Sequence, residues 1–275
     1  MSTTATDADR ELKAKHRTMW GLGNYTAVAT EVIASLGPTL VEAAGVASDQ
    51  RVLDVAAGAG NVALPAARLG AEVTASDLSP DLLARGRAMA KEAGLSLSWE
   101  EADAEALPYA DASFDTVLSC VGVMFAPHHQ EAADELVRVT RPGGTIGLIS
   151  WTPEGFIGQM FATMKPFAPP PPPGASPPPL WGSEAHVREL FGDRVDIARM
   201  ERHQLPVPVF ASGAEFRDYF KANYGPTIVT YRFIADDADR VAELDAALAE
   251  LGERSLADGT MGWEYLLTIA THTGA

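Results

Sequence analysis

Positions 52–61 read VLDVAAGAGN, an apolar run that ends in a glycine-rich turn. The run predicts a buried strand, and a helical stretch begins after the turn at Asn61. Glycines at such a turn let the backbone approach a ligand closely, and the helix N-terminus adds amide donors and a partial positive charge. The stretch therefore predicts a nucleotide-like ligand at the first turn of an α/β sheet.

Short β-branched runs alternate with helical stretches downstream of this turn. AEVTAS at positions 71–76 precedes a helix that Ser79 caps, Pro80 begins and Gly94 ends. LSLSWE, FDTVLSCV and GTIGLIS predict further strands. This alternation predicts an α/β fold with a Rossmann-like, mostly parallel sheet of seven strands and helices on both faces, connected by right-handed crossovers.

We expect one domain with four segments. They are an N-terminal helical segment and lid (1–50), a ligand-binding core (51–152), a proline-rich loop (153–183) and late strands with a helical cap inserted before the last strand (184–275). Within the first segment, residues 26–44 predict a helix bent near Gly37. The run PFAPPPPPGASPPP predicts an extended surface segment, or alternatively a ligand for a partner domain.

Composition limits the partners of this 275-residue chain. With 37 acidic and 21 basic residues its formal net charge is −16, which disfavours nucleic acid and anionic lipid as partners. The single cysteine allows no internal disulfide, and the polar first ten residues lack the apolar region of a signal peptide. We therefore predict a cytoplasmic protein with no nucleic-acid or membrane partner.

The glycine-rich turn alone leaves two ligand classes open. Gly58, Gly60 and Ala63 also satisfy the GxGxxG/A fingerprint of dinucleotide-binding proteins. Asp77 follows the second strand and suits either class, because its carboxylate can bind both ribose hydroxyls. We expect Asp77 at a solvent-facing strand end, where its loss would cost little stability.

Three features separate the two classes. Asp54 lies inside the first strand, where a carboxylate favours a ligand that carries an ammonium or sulfonium group. Asp103 and Ala104 follow the third strand and offer an acceptor and a backbone donor to an adenine edge. The chain also has no Tyr-x-x-x-Lys pair of the short-chain dehydrogenases. A cationic adenine-containing ligand is therefore favoured.

Taken in order, VLDVAAGAGN, ASDLSPDLL, ADAEALPY, FDTVLSCVGVMF and RVTRPGGTIGLISW resemble the successive motifs of class I S-adenosylmethionine-dependent methyltransferases. The resemblance is to the small-molecule group that includes the quinone-biosynthesis enzymes, and it spans residues 51–151. It implies S-adenosyl-L-methionine as cofactor and methyl transfer to a small apolar or aromatic acceptor. Ala56 departs from the family pattern, which has a glycine there.

The resemblance also implies the donor contacts. These are Asp54, Ala56, Gly58 and Gly60 for the methionine portion, Asp77 for the ribose, Leu78, Asp103 and Ala104 for the adenine, and Ser119, Cys120 and Val121 at the end of the fourth strand. Trp20 and Tyr25 stand beside flexible glycines, and we expect them either to close over the donor as a lid or to pack on the sheet edge.

Candidate catalytic residues rest on position alone. A methyl sulfonium is already an activated electrophile, so alignment and exclusion of water carry most of the catalysis, and we expect no metal. His128 and His129 follow the strand expected to end beside the donor, and they are candidate general bases for a hydroxyl or acidic carbon. Alternatively, they form a polar turn before a helix. His16 has no such positional argument.

Two other functions remain open from the sequence. One is an NAD(P)-dependent oxidoreductase on a similar sheet. The other is a non-catalytic S-adenosylmethionine-binding protein whose proline segment recruits a partner.

Overall fold

The computed structural model describes residues 7–274, so the first six residues of the expected N-terminal segment lie outside the described residues. The strands are β1 (Arg51–Val55), β2 (Glu72–Asp77), β3 (Ser98–Glu101), β4 (Phe114–Cys120), β5 (Thr140–Trp151), β6 (Val195–Val207), β7 (Leu256–Ala257) and β8 (Thr260–His272). They form one sheet in the order β3-β2-β1-β4-β5-β8-β6, with the two-residue β7 paired to β8.

The predicted α/β fold and its mostly parallel sheet are confirmed. Strands β1 to β5 pair in parallel, and β8 lies antiparallel between β5 and β6. Because right-handed crossovers place helices on opposite faces when the direction of strand addition reverses, the reversal between β1 and β4 gives helices on both faces. Open α/β sheets bind ligands at the carboxyl side of such a switch point.

Eleven α-helices lie within the described residues. They are α1 (Asp7–Trp20), α2 (Tyr25–Ala27), α3 (Leu36–Ala43), α4 (Ala63–Arg68), α5 (Pro80–Glu92), α6 (His129–Val139), α7 (Phe156–Met164), α8 (Glu184–Phe191), α9 (Gly213–Asn223), α10 (Gly225–Phe233) and α11 (Ala238–Ser255). The expected signals of α5 are present, since Ser79 Oγ accepts from the amide of Leu82 and Pro80 begins the helix. Helices α9 to α11 form the predicted insertion before the last strand.

The N-terminal segment differs from the single bent helix predicted for residues 26–44. Helix α2 continues into a π-helical turn, Val28–Val32, and α3 begins only at Leu36. Pro38 therefore lies in the first turn of α3, where its missing N–H removes no helical bond. Gly37 is needed beside it, because a Cβ there would lie 1.8 Å from the carbonyl oxygen of Asn61.

Three helices were not individually predicted, α1, α7 and α10. Helix α1 is largely polar, so it shows no apolar stripe in the sequence. Helix α7 falls inside the segment 153–183 that was expected to be a loop, which corrects that expectation. The proline run at 169–173 does lie outside regular secondary structure and is largely exposed. Among the helices described, none is long and apolar enough to cross a bilayer.

The cap helices hold the N-terminal segment above the sheet. Helix α1 packs on α10, and a Cβ on Gly225 would lie 2.4 Å from the carbonyl oxygen of Met19. The amide of Asn24 donates to the carbonyl of Asn223 at 3.1 Å. A Cβ on Gly23 would lie 2.7 Å from that same carbonyl oxygen. These close backbone contacts fix α1 over the carboxyl ends of the strands.

Candidate functional site

A cleft opens at the carboxyl ends of β1 to β4, beneath α1, with about 640 Å³ of space that is partly open to solvent. It is lined by Lys13, His16, Trp20, Tyr25, Ala56, Gly58, Asp77, Leu78, Leu82, Ala102, Asp103, Ala104, Val121, Gly122, Phe125, Ala126 and Pro127. Nine of the thirteen expected donor-site residues are in this set. The other four, Asp54, Gly60, Ser119 and Cys120, lie behind the cleft surface.

The turn after β1 uses left-handed backbone at three positions. Ala56 has φ +54°, Gly58 +56° and Gly60 +92°. For alanine this conformation costs roughly 1–2 kcal/mol, so Ala56 stores strain at the cleft. Gly60 faces away, because a Cβ there would lie 2.7 Å from the ring of Trp99. Gly60 therefore packs closely under the turn and is not among the residues that line the cleft.

Asp77 ties the glycine-rich turn to the start of α5. Its Oδ2 accepts from the amide of Gly58 at 2.8 Å and its Oδ1 accepts from the amide of Ser79 at 2.7 Å. Only 7% of Asp77 is exposed, so the expected solvent-facing position is wrong. Burial raises the pKa of Asp77 to about 6, although the two amides oppose that shift. Each carboxylate oxygen keeps a lone pair for another donor.

Asp54 contacts the start of helix α4 and does not line the cleft. Its Oδ2 accepts from the amide of Ala63, the first residue of α4, at 2.9 Å. The side chain is 1% exposed, and this burial raises the pKa of Asp54 to about 8 despite that bond, with the charge of Asp77 adding to the rise. Asp54 therefore supports the turn from below, which corrects its expected direct contact with the ligand.

The three residues expected to line the donor site at the end of the fourth strand have different surroundings. Ser119 Oγ donates to the carbonyl of Val55 at 2.6 Å and accepts from the amide of Val123 at 2.9 Å, so it joins β1 to the turn after β4. Cys120 is buried, and burial raises the pKa of its thiol. Only Val121 lines the cleft. Its φ of +47° is an outlier for a β-branched residue and places further strain at this wall.

Charged side chains gather where α1 crosses the segment after β3. Lys13 Nζ donates to Asp103 Oδ2 at 2.5 Å and also bonds Glu105. Glu105 in turn accepts from the amide and Nδ1 of His128, at 2.7 and 2.8 Å. Although desolvation lowers the pKa of His128, the bond to Glu105 and the surrounding carboxylates raise it above its ordinary value. His128 is thus an ion-pair partner that does not line the cleft.

Asp9, Glu105 and His128 have possible ligand atoms within 4.8 Å of one another. The ammonium of Lys13 lies 3.8 Å from Asp9 Oδ1 and bonds Glu105, so a cation already occupies this cluster. The ion pairs of these side chains, above all those with Lys13, therefore explain why they lie together.

His129 is turned away from the cleft into the core beside α8. Its Nδ1 lies 2.9 Å from His186 Nε2, and its ring packs on Trp181 with centroids 5.6 Å apart. The residue is 2% exposed. Burial and the neighbouring His186 lower the pKa of His129 to about 4. This placement removes the positional argument for His129 as a general base. The ion pair with Glu105 removes the same argument for His128.

His16 is the histidine that sequence analysis missed. It lies three residues after Lys13 and four before Trp20, on the helix face that covers the cleft. Burial lowers the pKa of His16, against the charges of Glu105 and Asp103, so its imidazole is neutral at pH 7. Residues 13, 16 and 20 have the spacing of one helix face. A prediction of α1 from the sequence would therefore have placed His16 on the same face as Lys13 and Trp20.

Aromatic rings close the end of the cleft near β4. The ring of Trp20 lies 4.7 Å from Phe125, 5.2 Å from Tyr25 and 6.0 Å from Tyr224 between centroids. Tyr25 also covers the glycine-rich turn, since a Cβ on Gly58 would lie 3.7 Å from its ring. Trp20 and Tyr25 thus face the cleft, next to the strand end where Val121 stands.

Comparisons with known proteins agree on one family. Residues 53–148 match the methyltransferase domain family. An uncharacterized protein of Mycobacterium tuberculosis H37Rv is 55% identical over 262 residues, which cover 95% of this chain and 96% of that protein. A demethylmenaquinone methyltransferase of Thermus thermophilus is 37% identical over 116 residues, or 41% of this chain and 53% of that protein.

The fold also has solved relatives. A geranyl diphosphate C-methyltransferase from Streptomyces coelicolor, solved with S-adenosyl-L-homocysteine, superposes with a TM-score of 0.54. The match covers 87% of this chain and 76% of that chain at 16% identity. At this identity the likeness shows the fold alone.

The buried His129 should make stability depend on pH. Its pKa is lower in the folded protein than in the unfolded chain, so its contribution is complete above about pH 6.5 and is lost as pH falls toward 4. We expect the free energy of unfolding of the wild type to fall by roughly 2–3 kcal/mol more than that of His129→Asn between pH 7.5 and 4.5.

Urea denaturation at both pH values measures this difference. His203→Asn, at a half-exposed site on β6, is the matched control and should follow the wild type. Parallel pH curves for the wild type and His129→Asn would contradict the account of the buried pair.

Proposed function

Because the chain belongs to the class I S-adenosylmethionine-dependent methyltransferases, we propose that the cleft beneath α1 binds S-adenosylmethionine and transfers its methyl group to a small apolar acceptor. The observation that carries the proposal is the single cleft that joins the Asp77 carboxylate, the glycine-rich turn and an aromatic wall. The Thermus thermophilus relative is named as a methyltransferase, and the comparisons give no support to the oxidoreductase or the non-catalytic alternative.

The donor fits the cleft from one end to the other. At the adenine end, Leu78 and Leu82 offer an apolar surface and Asp103 a carboxylate acceptor. In the middle, the free lone pairs of Asp77 suit two ribose hydroxyls. At the other end, the backbone around Ala56 and Gly58 suits the methionine portion.

The aromatic end suits the methyl group and its acceptor. Trp20, Tyr25 and Phe125 exclude water there, and aromatic faces attract a sulfonium cation. The charged groups of the cleft lie at the other end. The acceptor we propose is therefore uncharged and apolar or aromatic, as the name of the Thermus thermophilus relative suggests, and the net charge of −16 argues against nucleic acid.

The reaction needs alignment and, for some acceptors, a base. The acceptor lone pair forms a bond to the methyl carbon as the sulfur–carbon bond breaks, and S-adenosylhomocysteine leaves as a neutral thioether. A hydroxyl acceptor also loses a proton. Among the described residues His16 is the one histidine that lines the cleft, and we propose that its neutral imidazole takes that proton.

Donor binding should depend on Asp77. We expect S-adenosylhomocysteine to bind at micromolar levels and to raise the melting temperature, whereas NAD does neither. Asp77→Ala should weaken S-adenosylhomocysteine binding by roughly 2–3 kcal/mol, because a charged acceptor for two hydroxyls is lost. Since Gly58 and Ser79 also lose their acceptor, this variant should unfold more easily, by roughly 1–3 kcal/mol.

Isothermal calorimetry over a pH series tests this dependence. The ionised carboxylate accepts both hydroxyls, so wild-type affinity should fall as pH drops through about 6, and that of Asp77→Ala should not. Glu72→Ala, at the exposed amino end of β2, is the matched control. Tight NAD binding without S-adenosylhomocysteine binding would refute the donor assignment.

His16 should matter for rate and not for donor affinity. With a hydroxyl acceptor found by screening phenols, quinols, amines and small carboxylates against labelled methyl donor, His16→Gln should lower turnover by about 10²- to 10⁴-fold. The wild-type rate should decline when the imidazole becomes protonated, at a pH below the ordinary value for histidine because burial lowers the pKa of His16, and this decline should be absent in His16→Gln.

His203→Gln serves as the control for general effects of losing a histidine. Retained turnover in His16→Gln would contradict a role as base. A loss of S-adenosylhomocysteine affinity as large as the loss of rate would instead make His16 a donor contact.

A further inference from the structure

Lys13 crosses the mouth of the cleft to reach the segment after β3. Its Nζ donates to Asp103 Oδ2 at 2.5 Å, bonds Glu105, and lies 3.8 Å from Asp9 Oδ1. The Lys13 side chain is 11% exposed, and that of Glu105 is 4% exposed. An ammonium thus lies buried among three carboxylates at the adenine end of the cleft.

The ammonium controls the orientation of Asp103. Without Lys13, Asp103 and Glu105 would be neighbouring carboxylates of like charge in a partly buried position, and their repulsion favours rotation of one side chain away from the other. With Lys13, Oδ2 of Asp103 is engaged and Oδ1 accepts from the amide of Glu105 at 3.0 Å. The carboxylate is held at both oxygens, and each oxygen keeps a lone pair for a further donor.

We propose that Lys13 is a positioning residue for donor recognition: it holds the Asp103 carboxylate in the orientation in which it selects the amino group of a 6-aminopurine. The inference rests on the proposed function. Lys13 does not itself read the base, because its ammonium bonds Asp103 and Glu105 and also lies 3.8 Å from Asp9 Oδ1. A 6-keto purine places its carbonyl oxygen, an acceptor, where the amino group would donate to Asp103, so two acceptors face each other and the site should reject it.

A simpler role for Lys13 is that of a latch that holds α1 closed. The two roles differ in one measurable quantity. Loss of a latch weakens every ligand of the cleft by the same factor, whereas loss of positioning weakens the 6-amino ligand more than the 6-keto ligand. The ratio of two dissociation constants therefore separates the roles.

The experiment compares S-adenosyl-L-homocysteine with S-inosyl-L-homocysteine by isothermal calorimetry. We expect the wild type to prefer the adenosyl ligand by at least about tenfold. Lys13→Met and Lys13→Gln should reduce this preference to within about threefold, and Lys13→Arg should retain most of it because the positive charge is kept. Lys15→Met is the matched control, since Lys15 pairs with Glu11 on the exposed side of α1.

A double-mutant cycle tests whether Lys13 acts through Asp103. In the Asp103→Asn background, Lys13→Met should change the preference no further. An equal loss for both ligands, an unchanged preference in Lys13→Met and Lys13→Gln, or an undiminished effect of Lys13→Met in that background would each overturn the inference. A wild type that binds S-adenosylhomocysteine without preferring it would also overturn it. Failure of the wild type to bind either ligand would refute the proposed donor site itself.

Discussion

The carboxylate of Asp77 connects the parts of the molecule that form the cleft. By accepting one amide from Gly58 and one from Ser79, it fixes the turn after β1 against the end of β2 and the start of α5. The left-handed turn, with its strained Ala56, has its conformation set by this bond and by the support of Asp54 beneath it. Burial of Asp77 makes the bonds strong and makes the site sensitive to protonation.

The second constraint comes from the opposite side of the cleft. Close backbone contacts between the N-terminal segment and the α9–α10 junction set the position of α1, and α1 then presents Lys13, His16 and Trp20 to the cleft. The polar residue Lys13 and the aromatic residue Trp20, which excludes water, thus face different parts of the cleft from the same helix. This division suits a ligand with a polar nucleoside end and a reactive sulfonium end.

The sequence predicted best those site residues that lie next to a strand or a helix with a clear local pattern. The parallel strands have strong apolar runs, and the caps of α5 are local signals, so the strand ends and the residues Asp77, Leu78 and Asp103 could be placed beforehand. The partners of Asp54 and Ser119 could not, because an amide of α4 and a carbonyl of β1 reach them only in three dimensions.

The histidines illustrate the same limit. His128 and His129 do follow β4, but helix α6 begins at His129 and turns its ring toward His186, while Glu105 binds His128. His16 was missed because a polar helix that covers a cleft, and not a core, carries no apolar stripe. Prediction of a histidine at the cleft needed the helix to be placed first.

The central claim is that the cleft beneath α1 is the methyl-donor site, and a crystal structure with S-adenosylhomocysteine tests it most directly. The account predicts ribose hydroxyls on the Asp77 carboxylate, the adenine amino group on Asp103, and the sulfur beside Trp20 and Tyr25. Electron density for the ligand outside this cleft, or a ribose that makes no contact with Asp77, would contradict it.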